Sequence, residues 1–236
     1  MQKIGEGLQY NVFTLGNGRV FKKPASILES CYRVLAWRYP YLETPIWKIP
    51  HDVLRLKANT RASLIGLRPL LPSLSIELGN PIVNEDCSFE QDFAIVMADY
   101  FQTHAPADNR RVIDHYVALL FRFWEYGITD RSFKLSMNFG VTKGRVILLD
   151  LGELYFEKEI AHERIRARIW EKAPVHDADL NNYYFEAMNT AMTAENLEMH
   201  WERSLGDLKA SPGLAIETRS AGMRTQLWRA GRTPAE

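Results

Sequence analysis

Gly127-Ile128-Thr129-Asp130-Arg131-Ser132-Phe133-Lys134-Leu135-Ser136-Met137-Asn138-Phe139-Gly140-Val141-Thr142-Lys143-Gly144-Arg145-Val146-Ile147-Leu148-Leu149-Asp150-Leu151-Gly152 is the stretch whose reading decides the fold. Phe139 to Val141 reads as a strand, Lys143-Gly144 as a turn, and Val146 to Leu149 as a β-branched and apolar return strand that delivers Asp150. Asn138 and Asp150 then stand at the same end of one hairpin, on opposite arms. An amide and a carboxylate so placed can converge on a magnesium ion, which prefers hard oxygen ligands. Taken singly, Asn138 is also a good turn former and Asp150 a good helix cap. Asp130, ahead of the hairpin, adds an acid to the same neighbourhood.

Immediately upstream, residues 110–126 carry Ile113, Tyr116, Val117, Leu120 and Trp124 on one helical face, with Asp108 or Asn109 as the cap and Gly127 as the stop. Phe93 to Met97 is a short continuous apolar run, the pattern of a strand buried on both faces. At the start of the chain, Tyr10 to Leu15 and Arg19 to Lys22 read as a hairpin around Gly16-Asn17-Gly18. Ser26 and Glu29 have capping-box spacing and open a helix with Leu28, Tyr32, Leu35 and Ala36 as its apolar positions, closed by Pro40. Residues 41–90 hold five prolines and little periodicity, which predicts short strands and loops. Residues 157–172 and 177–203 read as helices, and the tail from Lys209 as mobile. The order predicts an α+β fold of two lobes: a small β-rich one over about 1–98 and a mostly helical one over about 99–208, with a site in the crevice between them.

Composition narrows the function classes. The 29 basic and 29 acidic residues balance, so no overall field draws the chain to nucleic acid or to an anionic membrane. No apolar run approaches the length that spans a bilayer, and the start has no apolar signal core. Cys31 and Cys87 cannot make a disulfide framework, which places the expected compartment in the cytoplasm, with secretion lacking a cleaved signal left open. Leu214, Ile216 and Trp228 in the tail could dock on a protein partner.

Gly5-Glu6-Gly7-Leu8-Gln9-Tyr10-Asn11-Val12 matches the phosphate-covering pattern G-x-G-x-x-G-x-V except at Tyr10. Lys22, on the return strand, supplies a cation. With these pieces the chain resembles a divergent, compact member of the protein-kinase-like superfamily, which includes protein kinases and the aminoglycoside and choline kinases. The resemblance covers about residues 4–152. It implies that Gly5 and Gly7 form the glycine-rich loop, that Val12 caps the adenine, and that Lys22 anchors ATP with Glu29 as its partner. It further implies that backbone groups of Met97 to Asp99 read the adenine edge, that Asp130 is the catalytic aspartate, and that Asn138 and Asp150 hold Mg2+.

The chain departs from the family in three ways. Kinase catalytic loops place asparagine five residues after the aspartate, whereas Asn138 follows Asp130 by eight. No histidine precedes Asp130, and nothing after Gly152 resembles the Ala-Pro-Glu segment that supports peptide substrates. The expected activity is ATP- and Mg2+-dependent transfer of the γ-phosphate to a hydroxyl of a protein or small-molecule acceptor. Two alternatives stand beside it: a pseudokinase that regulates a partner, and a kinase-fold nucleotidyltransferase.

Overall fold

The structure, a computed structural model, describes residues 1–38, 45–175 and 177–201. Three strands open it: β1 (Gln2–Glu6), β2 (Tyr10–Thr14) and β3 (Arg19–Pro24). The expected β2–β3 turn forms, with Gly16 and Gly18 at φ of 78° and 75°, where a side chain would be strained. Helix α1 (Ile27–Arg38) begins at the expected capping box: the Ser26 N–H donates to Glu29 Oε2 at 2.6 Å and the Glu29 N–H to Ser26 Oγ at 3.1 Å. Its expected apolar face is reversed, however. Leu28 is 82% exposed and Tyr32 71%, while Ser30 and Arg33 are buried. The polar side can face inward because the Arg33 guanidinium finds acceptors there, the Gly7 carbonyl at 2.7 Å and Asn11 Oδ1 at 2.5 Å. Pro40 and the tail from Lys209 lie outside the described residues.

The largest departure from expectation is α2 (Ile49–Leu67), a 19-residue helix within the segment read as strands and loops. Its buried face mixes Ile49, Val53, Leu64 and Leu67 with Thr60 and Ser63, and those two hydroxyls broke the apolar period. The prolines mark starts rather than breaks: Pro50, Pro69 and Pro72 each sit in the first turn of a helical segment, where the missing N–H has no intrahelical partner to lose. After α3 (Leu71–Leu74), strands β4 (Ile82–Val83) and β5 (Phe89–Asp92) complete an antiparallel sheet of order β1-β2-β3-β5-β4.

The apolar run at 93–97 gives only β6 (Ile95–Val96), with Phe93 and Ile95 exposed rather than buried on both faces. Met97 instead opens α4 (Met97–Thr103). Helix α5 (Pro106–Glu125) starts earlier than expected, on a first-turn proline; Asn109 does not cap it but donates to the Phe101 carbonyl at 3.0 Å, tying α4 to α5. Then come β7 (Thr129–Asp130), α6 (Leu135–Asn138), β8 (Phe139–Thr142), β9 (Arg145–Leu148) and β10 (Leu154–Tyr155). Strand β8 pairs with both β6 and β9, and β7 pairs with β10. Helices α7 (Lys158–Arg166), α8 (Ala178–Ala191) and α9 (194–201) follow, so the helix expected over 177–203 is broken at Met192-Thr193.

One core runs through the molecule. Leu64 and Leu67 of α2 and Phe89 of β5 join Tyr116, Phe123 and Trp124 of α5, Phe139 of β8, Trp170, and Tyr184 and Met188 of α8. The architecture is the expected two-part α+β plan: an antiparallel sheet with its helices, then a mostly helical remainder. No helix among the described residues is long and apolar enough to cross a membrane.

Candidate active site

The β8–β9 hairpin closes at its base on one residue. The Asn138 carbonyl accepts the N–H groups of Leu149, at 2.7 Å, and Asp150, at 3.3 Å. That closure holds Asn138, at the end of α6, beside the start of Asp150-Leu151-Gly152. Lys22 arrives from β3: it is 9% exposed, its Nζ donates to the Leu149 carbonyl at 2.6 Å, and it lies 5.4 Å from the centroid of the Phe89 ring. Burial drives the Lys22 pKa down to about 8, and the Asp150 charge opposes that fall. Thus Lys22, Asn138 and Asp150, distant in sequence, meet at one end of the hairpin.

Asp150 is held by its own loop, Oδ1 accepting the Gly152 N–H at 3.0 Å. Burial and then the negative charge of Glu153 raise its pKa; the Gly152 N–H, Lys22 and Lys134 pull the other way. Glu153 was not among the residues read from the sequence. Its Oε2 accepts from Asn138 Nδ2 at 3.1 Å and from Ser132 Oγ at 2.9 Å, and its carbonyl accepts the Arg131 N–H at 2.9 Å. Only its position directly after Gly152 could have signalled it.

Asp130 takes a different place from the one expected of a catalytic acid. It lies on β7, is 1% exposed, and uses Oδ1 to accept the Ser132 N–H at 3.2 Å. Its Oδ2 is buried without a partner. Burial first, and Glu153 second, push its pKa up to about 7. The Asp130 carboxylate is thus enclosed by the chain. The half-buried pair Ser132 and Glu153 stands at the loop surface instead.

Glu29 also departs from expectation. Its carboxylate accepts from Ser26 and, at 3.3 Å, from Asn11, and it lies 3.8 Å from Arg33, so it belongs to the cap of α1 rather than to Lys22. The link between the glycine segment and the Asp150 loop runs through α2. Thr60 Oγ1 donates to Gln9 Oε1, while Ser63 Oγ donates to the Leu151 carbonyl at 2.6 Å and accepts the Leu154 N–H at 3.3 Å. Gly152 packs into this junction so closely that a Cβ there would lie 2.7 Å from Gln9 Oε1 and 2.8 Å from Thr60 Cγ2. Gly5 and Gly7 are under no such demand, because a Cβ on either would meet no neighbour closer than 3.8 Å. Val12 lies opposite Gly5 and Lys22 in the sheet. Met97, expected with Asp99 to read the adenine edge, is buried in the core at the start of α4, and Asp99 is exposed on its first turn.

Among the described residues, no group of three or more histidine, cysteine, aspartate or glutamate side chains is arranged to hold a metal by itself. A surface groove of about 340 Å³ between α5 and α8, lined by Asp114, Val117, Tyr183 and Glu186 among others, contains none of the motif residues.

No family model matches the chain, and no curated protein matches it. Among solved structures it is similar to the Rio2 kinase-ADP/Mg2+-phosphoaspartate complex from Chaetomium thermophilum, at 12% identity and a TM-score of 0.40, over 88% of this chain and 70% of that one.

Proposed function

We propose that the chain is an ATP- and Mg2+-dependent phosphotransferase acting on a hydroxyl acceptor. The observation that carries this reading is the meeting of Lys22, Asn138 and Asp150 at the base of the β8–β9 hairpin. Their chemistry fits the ligands. Asp150 offers a carboxylate and Asn138 an amide oxygen, a sparse hard-donor set that suits Mg2+ with phosphate oxygens and water completing its shell. The mutual repulsion of Asp150 and Glu153 is a further demand for positive charge at this point. Bound there, Mg2+ and ATP would supply charge neutralisation and the transferable phosphoryl group.

The remaining work belongs to the chain. Lys22 orients the phosphates, and its hold on the Leu149 carbonyl aims it from β3 towards the Asp150 loop. Gly5 and Gly7 let main-chain amides approach the phosphates; their freedom from any packing demand within the protein suits that use. Glu153, rather than Asp130, is the acid placed to orient an acceptor hydroxyl and accept its proton, since it already takes a hydroxyl hydrogen bond at 2.9 Å. Positioning and electrostatics of this sort are most of what phosphoryl transfer needs.

The burial of Asp130 favours a second reading, a module that binds nucleotide and regulates a partner without turnover. Calorimetric melting and label transfer separate the two. ATP with Mg2+ should raise the melting temperature by mass action, and Lys22→Met should abolish most of that rise without unfolding the chain. Transfer of γ-label from ATP establishes the phosphotransferase, and transfer of α-label a nucleotidyltransferase. A nucleotide-dependent melting shift with neither transfer leaves the regulatory module. An undiminished shift in Lys22→Met would remove Lys22 from the site.

A further inference from the structure

We infer that Ser132 is an activated nucleophile and accepts a phosphoryl group from the bound nucleoside triphosphate, making the chain its own first acceptor. The inference rests on the phosphotransferase reading above and goes beyond it by naming an acceptor atom.

Three side chains form the arrangement that activates a hydroxyl: a nucleophile on a base, with the base oriented by a third group. Ser132 Oγ donates to Glu153 Oε2 at 2.9 Å, so the proton already points at a carboxylate. Asn138 Nδ2 donates to that same Oε2 at 3.1 Å and to Ser132 Oγ at 3.1 Å. The amide therefore fixes the carboxylate and takes one of the two lone pairs on the serine oxygen, leaving the other for attack. Ser132 is half-buried, so it is not closed off from solvent.

A second, independent feature is the backbone. Phe133, directly after Ser132, has φ of 49°, a conformation that costs energy for a bulky aromatic residue and that clusters at functional sites. The surroundings enforce it: Phe133 is fully buried, its carbonyl accepts from Tyr184 Oη at 3.1 Å, and its ring meets Trp170 edge-on at 6.0 Å. On the other side, the Ser132 N–H is held by Asp130 at 3.2 Å and the Arg131 N–H by the Glu153 carbonyl at 2.9 Å. Pinned from both flanks, the turn holds the serine hydroxyl against Glu153. It also gives buried Asp130 a positioning role, acting on the main chain of Ser132 rather than on substrate.

In the step itself, a bond forms between Ser132 Oγ and the terminal phosphorus, and the bond from that phosphorus to its bridging oxygen breaks. The electron pair of that bond leaves with the nucleoside diphosphate, and the hydroxyl proton passes to Glu153 Oε2. No oxidant or reductant is involved.

The full chain is incubated with γ-labelled ATP and Mg2+, and phosphopeptides are mapped by mass spectrometry. Label on Ser132 is expected, absent in Ser132→Ala and slowed roughly a hundredfold or more in Glu153→Gln, the usual worth of a positioned base. A fluorophosphonate, which brings its own phosphorus electrophile, tests the nucleophile with no nucleotide present and should form an adduct on Ser132 that declines in Glu153→Gln. Circular dichroism establishes that each variant is folded. Label passing to water or an added acceptor while Ser132 stays unmodified would overturn this inference and leave the phosphotransferase reading standing. A fluorophosphonate adduct without nucleotide binding would keep the activated serine and refute the phosphoryl donor. Neither label nor adduct on Ser132 of a folded chain would overturn the inference outright.

Discussion

Among the site carboxylates, Asp130 departs furthest from its ordinary chemistry. A carboxyl group whose pKa rises from 3.8 to about 7 on folding binds more protons in the native state than in the unfolded one between those values. Its contribution to stability is thus full below pH 4 and is lost as pH rises towards 7, with a slope of at most about 1.4 kcal/mol per pH unit for one proton. Asp150 acts in the same direction. Lys22, lowered from 10.5 to about 8, works in another window: it is charged at a cost below pH 8, and its penalty fades as pH rises from there to 10.5. Asp130→Asn should therefore flatten the fall in melting temperature between pH 4 and 7 and leave the alkaline limb unchanged. A thermal scan across that range checks it; an unaltered slope would mean that Asp130 is ionised throughout. Local sequence carries no sign of this, because the enclosure of Asp130 depends on elements distant along the chain.

Among the elements, α2 does most to assemble the site, and it is the one least legible in the sequence. Its inward hydroxyls replace apolar residues at the positions that periodicity relies on, so the segment looked irregular. In the folded chain the Ser63 hydroxyl is spent on main-chain groups of the Asp150 loop and the Thr60 hydroxyl on the Gln9 side chain. Ser63→Ala leaves the buried Leu151 carbonyl and Leu154 N–H without their partner, and should cost about 1–3 kcal/mol of stability by chemical denaturation. Faster amide exchange at residues 151–154 should accompany the loss, and unchanged exchange there would show that α2 is not what holds the loop. Helix α1 teaches the converse lesson. Its cap was legible because Ser26 and Glu29 satisfy each other locally, within three residues. Its inward face was not, since whether Arg33 can be buried depends on acceptors that β1, β2 and the turn between them place beside it.

At the scale of the whole molecule, the sheet and the helical part share one core, with Leu64 and Leu67 on one side and Trp124 and Trp170 on the other. Trp124→Ala should cost about 3–5 kcal/mol, the range for emptying a buried aromatic site, and should lower one cooperative transition followed by both circular dichroism and fluorescence. Separate transitions for the two signals would contradict a shared core. What the sequence by itself determined is whatever is fixed by neighbours along the chain: the glycine turn of β2–β3, the cap of α1, the amphipathic α5, and the hairpin that carries Asn138 to Asp150. Turn dihedrals, capping bonds and helical period act over a few residues, so they can be read in order. Only the tertiary structure decided that Lys22 leans on Leu149 rather than on Glu29, that Asp130 is enclosed, and that Ser132 donates to Glu153 beside Asn138. These depend on burial and on partners up to 127 residues away, where desolvation and the available acceptors, not local spacing, select the pairing.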